Sequence, residues 1–173
     1  MSNPLLTKST LPYGAPQFDK IENRHYIPAF KQAIEEGKAE VDAIVNNPEN
    51  PSFENTIEAL EYAGESLERI SNIFYNLLEA NTNEEMQNIA EEISPLTTEF
   101  SMYIRLNEGL FQRIKSVYEQ RESLDLDDVE MRLLEKTYEG FARNGANLSP
   151  EDKDTYSKYM EELSLLSLQF GKN

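Results

Sequence analysis

An all-α protein is expected here: an antiparallel bundle of about six helices, preceded by an extended N-terminal arm. Three features carry that expectation. Apolar residues recur at spacings of three and four from residue 26 to residue 170, the period of one helical face. No segment alternates apolar and polar residues long enough to suggest a strand, and Asn-Gly at 144–145 lies between helical patterns rather than strands. The interruptions between periodic segments are short, which makes consecutive helices antiparallel neighbours.

The arm is read over residues 1–25 and the bundle over residues 26–173. Pro4, Pro12 and Pro16 each fix φ and disfavour helix in the residue before them. Leu5, Leu6, Leu11, Tyr13 and Phe18 are the apolar anchors expected to hold the arm along a groove. Pro28 suits a first helical turn, where its missing N–H has no partner to lose. Phe30, Ile34, Gly37, Val41, Ile44 and Val45 then mark the inner face, and "NNPENP" at 46–51 ends that helix. Ser52 is positioned to cap a second helix, whose stripe runs through Phe53, Ile57, Leu60, Gly64, Leu67, Ile70, Phe74 and Leu77 as one amphipathic segment.

Thr82 and Glu85 have capping-box spacing before a third helix carrying Met86, Ile89, Ile93, Leu96, Phe100 and Ile104. Pro95 removes one donor inside it and is expected to bend it. A short fourth helix turns Leu110, Phe111, Ile114, Val117 and Tyr118 inward. A fifth turns Met131, Leu134, Tyr138 and Phe141 inward and stops at Gly145. "SPED" opens the sixth, with Ser149 as cap and Pro150 first in the helix. Its stripe, Tyr156, Tyr159, Met160, Leu163, Leu166 and Phe170, is of the kind that forms core. That stripe continues almost to Asn173; Gly171 is compatible with a C-cap and a natural end, but a bundle of this size without a site is expected to be part of a longer protein.

The 173 residues fit one domain of ordinary size, or the first part of something larger. Tyr 9 and Phe 8 are too many aromatics for a disordered chain. The net charge of -16 repels phosphate backbones and anionic membranes, so neither nucleic acid nor membrane is an expected partner. It attracts basic peptides, and it also keeps a protein soluble. With Cys 0, disulfides, thiolate nucleophiles and cysteine-held metals are excluded. The N-terminus lacks the pattern of a signal peptide as written. The cytoplasm is the expected compartment; a trimmed export signal is compatible with the same sequence.

One histidine, His25, lies three residues after Glu22. Glu-x-x-His serves helical di-iron proteins, but such a centre needs two of these pairs and further glutamates. A catalytic zinc site of the His-Glu-x-x-His type needs a second histidine, and a serine triad would have only His25 as its base. The expected role of His25 is to sit at a helix start and hydrogen-bond the arm or a loop. The acidic pairs at 35–36, 84–85, 91–92 and 161–162 read as solvated helix faces. There is no glycine-rich phosphate loop and no Trp, and the aromatics follow the apolar stripes instead of basic residues. No catalytic, cofactor-binding or metal-ligating residue is assigned.

Five segments in order, "FDKIENRHYIPAFKQAI", "NPENPSFENTIEALE", "LNEGLFQRIKSVYEQRESLDLD", "LLEKTYEGFARNGANLSPEDK" and "ELSLLSLQFGKN", resemble the N-terminal helical region of thimet-oligopeptidase-like zinc peptidases. The resemblance extends over essentially the whole chain. It implies a longer parent that releases dipeptides from the C-termini of short peptides, with zinc polarising the scissile carbonyl and activating water. It implies also that the zinc motif lies in a later part of the parent, and that this region forms part of the wall of a deep, narrow channel. The catalytic part of the same parent is then its partner. His25, Pro28, Phe30, Phe53, Asn55, Thr56, Arg143 and Gly145 are family-typical and are read as residues that shape the bundle. Two rivals stand beside this: a free-standing helical module that binds partner helices, and a metal-binding four-helix protein. In isolation the region is expected to expose an apolar face and to self-associate.

Overall fold

The computed structural model describes residues 3–171. Between Pro4 and His25 the chain forms four single 3-10 turns, Pro4–Leu6, Pro12–Gly14, Phe18–Lys20 and Asn23–His25. Asn3 secures the first of them. Its side-chain oxygen accepts from the Leu5 N–H at 3.0 Å, and its Nδ2 donates to the His25 carbonyl at 2.8 Å. Leu5 is thereby held in the core, 1% exposed, and Leu6 packs beside it. The other expected anchors do not anchor: Leu11, Tyr13 and Phe18 are exposed. Tyr13 (φ 61) and Gly14 (φ 68) are consecutive left-handed residues, and the tight reversal they make keeps Tyr13 out in solvent.

Helix α1 (Tyr26–Val45) is central. It packs against α3 (Glu65–Ala80), α4 (Glu84–Arg105) and α5 (Glu108–Glu119). Its first half joins Tyr26, Phe30 and Ile34 to Ile70, Phe74, Ile93 and Phe100. Its second half joins Val41 and Ile44 to Phe53, Ile57, Leu110, Ile114 and Leu134. In the first cluster Phe74 meets Tyr26 and Phe30 edge-on, with ring centroids 4.8 and 5.8 Å away. Helix α6 (Asp128–Arg143) lies on α5, and α7 (Pro150–Gly171) lies on α4. The described residues contain no strand, and no helix is long and apolar enough to cross a membrane. The structure is all-α.

The long second helix of the sequence reading is two helices. A π-type turn over Phe53–Glu58 runs into α2 (Ala59–Tyr62), and the backbone then breaks, with Ala63 extended (ψ 127) and Gly64 left-handed (φ 83). The apolar stripe continues across the break, so spacing alone could not locate it. Two interactions hold the break: the Gly64 N–H donates to Glu40 Oε2 at 2.8 Å, and the Phe100 ring lies against Gly37 and Gly64. A Cβ on Gly37 would stand 2.7 Å from Phe100 Cζ, so α1 and α4 approach this closely only because Gly37 has none.

The caps follow sequence signals with two adjustments. Ser52 accepts from the Asn55 N–H and Ser149 from the Asp152 N–H, as expected. Helix α4 is capped by Asn83 instead of Thr82, Asn83 Oδ1 accepting from the Met86 N–H at 2.9 Å. Asp127 and Glu130 form a capping box at the start of α6 that the acidic run "SLDLDD" concealed. Gly145 (φ 97) ends α6, and the Ala146 N–H reaches back to the Phe141 carbonyl at 3.2 Å. Helix α4 continues without interruption through Pro95.

Candidate interaction face

His25 is half-buried at the entrance to α1. Its Nδ1 accepts a hydrogen bond from the Glu22 N–H at 3.0 Å, and its own N–H donates to the Glu22 carbonyl at 2.9 Å. Glu22 and His25 are thus neighbours through a helix-start turn, with one ring nitrogen already used. The Glu22 carboxylate is engaged by Arg24, at 3.0 Å from Nε. Among the described residues no group of three or more His, Cys, Asp or Glu side chains converges as a metal cage would. This donor set does not fit a hydrolytic zinc ion, which takes three protein ligands and one open position.

Of the family-typical positions, Phe30, Phe53 and Thr56 are buried, and Gly145 terminates α6. Asn55 is a hub: its Oδ1 accepts from the Ser52 N–H, Thr56 Oγ1 and Arg113 Nη2. Arg113 is the one charged side chain among the buried polar residues of the described chain, 9% exposed. Its Nη1 also donates to the Asn47 and Glu49 carbonyls, at 3.0 and 3.3 Å. One guanidinium therefore ties the 46–51 loop to α5. The sequence reading missed it; the only available signal was an Arg within the apolar periodicity of that helix. Arg143, by contrast, shapes no core. It is exposed at the end of α6, 3.7 Å from Glu139, where a cation suits the helix dipole.

The conspicuous surface is on α7. None of its residues is buried. Tyr156, Met160, Ser164 and Leu168 are half-buried towards α4, where Ser164 hydrogen-bonds Ser94 and Leu168 touches the first core cluster. Tyr159, Leu163, Leu166 and Phe170 form a second stripe, at steps of four, three and four, and face solvent; Phe170 is 82% exposed. These residues carry the periodicity of core positions but are not core in this chain. The apolar arc of α7 is wider than the one helix that packs against it. The stripe holds no cation. Lys158 is paired with Asp154 at 2.6 Å, and Lys153 donates to the Leu106 carbonyl, while helical spacing sets Asp152 in line with the stripe and Glu162 beside it.

Among the described residues, then, the chain is an all-α bundle with one helix face uncovered. No family model matches the chain. It is 42% identical over 170 residues to the dipeptidyl carboxypeptidase of Escherichia coli (strain K12), across 98% of this chain and 25% of that protein. It is 27% identical over 173 residues to oligopeptidase A of Salmonella typhimurium, again 25% of the relative. To a thimet-like oligopeptidase of Dictyostelium discoideum it is 28% identical over 128 residues. The chain belongs to the thimet-oligopeptidase-like proteins, lines up with their N-terminal quarter, and spans about a quarter of the length of these relatives.

Proposed function

We propose that this chain is the N-terminal helical region of a zinc-dependent peptidyl-dipeptidase or oligopeptidase, forming part of the channel wall that admits short peptides and excludes folded proteins. The observation that carries this reading is the 42% identity to a dipeptidyl carboxypeptidase along 98% of the chain. The chemistry of the residues supports the same division of labour. A single histidine, engaged in a helix-start turn, leaves no donor set for the zinc ion, so no catalytic step is assigned to any residue of this region. What the region supplies is shape: helix ends fixed by Ser52, Asn83, Asp127 and Ser149, and helix packing fixed by Gly37 and Phe100. Zinc belongs to the remainder of the parent protein, which is also this region's partner, and short peptides are the parent's substrates.

The cytoplasm is the proposed compartment. Among the relatives, one of Arabidopsis thaliana is named a probable cytosolic oligopeptidase A and another an organellar one. The exposed α7 stripe also favours a second reading, a free-standing module that binds partner helices. Reading the gene beyond Asn173 separates them: several hundred further codons with His-Glu-x-x-His support the peptidase, and an immediate stop supports the module. In the peptidase case, the parent should release dipeptides from peptide C-termini in a chelator-sensitive manner. Failure to do so with zinc supplied overturns the proposal.

A further inference from the structure

We propose that the exposed stripe of α7, Tyr159, Leu163, Leu166 and Phe170, is the seat of a helix from the remainder of the parent protein, a helix with an apolar face bordered by Lys or Arg. The inference rests on the family reading above and goes beyond it by naming the seat and the chemistry of its occupant. The four side chains share one face over three turns, and their exposure is not that of isolated surface apolars. Helix α7 touches the bundle mainly through α4, across an interface that includes a serine–serine hydrogen bond. That single contact buries none of its residues, so a second neighbour is needed to complete the arc.

Two observations select the occupant. The chain spans a quarter of the length of its relatives, so about three times as much polypeptide is available in the parent to supply a helix. The border of the stripe is acidic, through Asp152 and Glu162, and both lysines of α7 are turned to other partners. A second copy would bring Asp152 and Glu162 against their own like in a molecule whose net charge is already -16. A basic-flanked helix meets no such repulsion.

The test uses the whole parent protein carrying a protease site after Asn173, cut once folded, so that the association of its two parts is read. Association should weaken at least tenfold in Leu163→Glu and in Leu166→Glu, and should weaken as salt rises. Glu122→Gln, in the exposed turn after α5, should leave it unchanged. Because both leucines are exposed, the variants should retain the helical circular dichroism of the parent chain, so loss of binding is not loss of fold. Association indifferent to both leucine variants overturns the inference. A gene without downstream coding sequence would instead overturn the proposed function.

Discussion

Gly37 and Gly140 make opposite predictions from the same substitution. At Gly37 a methyl group meets the Phe100 ring, which is buried and already close to Gly64. Gly37→Ala should cost about 1–3 kcal/mol of unfolding free energy, as overpacking does. Nothing lies within 4 Å of a Cβ on Gly140, in α6, and Gly140→Ala should gain about 0.5–1 kcal/mol. Urea unfolding of the two variants reads both signs. Arg113→Met should cost at least about 1–3 kcal/mol, because it strands the Asn47 and Glu49 carbonyls, and it should speed hydrogen exchange in the 46–51 loop. Tyr103 donates its hydroxyl to the Asp42 carboxylate. That bond, chiefly, pushes its pKa up to about 12 from an ordinary 10.0. The folded chain therefore holds this proton more tightly than the unfolded chain. The contribution is complete below pH 10 and is lost as pH rises through about 12. Tyr103→Phe should flatten the fall in stability over that window relative to the wild type, as read from unfolding midpoints against pH.

The helices themselves were legible from spacing wherever one face meets a partner, as with Leu110, Phe111, Ile114 and Val117 in α5. What spacing could not reveal was a change in backbone that keeps the side chains in phase. The break at Ala63–Gly64 is of this kind, fixed by a hydrogen bond to Glu40 and a ring from α4, both distant in sequence. Gly64→Ala should cost about 1–2 kcal/mol through its left-handed φ alone. Nor could spacing say which stripes find a partner within this chain: α7 has the pattern of a core helix and no buried residue. Its amides should exchange fastest among the long helices, since few apolar contacts hold it, and association with the remainder of the parent should slow them. The arm shows the complementary limit. Leu5 and Leu11 look equivalent in composition, but only Leu5 is held by the Asn3–His25 bond.

At the level of the complete chain, the chemistry was legible chiefly by exclusion. One histidine and Cys 0 leave no second imidazole and no thiolate for a zinc centre of the His-Glu-x-x-His type, and in the structure His25 completes a turn with Glu22. The order of five segments, rather than any short motif, carried the family, and matches that run along 98% or more of this chain, to a quarter of dipeptidyl carboxypeptidase and of oligopeptidase A, support it. The shape of the contribution follows from the same facts: a bundle centred on α1, with one helix face uncovered. The most direct measurement of that account is peptide hydrolysis by the purified 173-residue chain with zinc supplied, with and without chelator. The account predicts no chelator-sensitive release of dipeptides from a short peptide. Zinc-dependent turnover by this chain alone would contradict it.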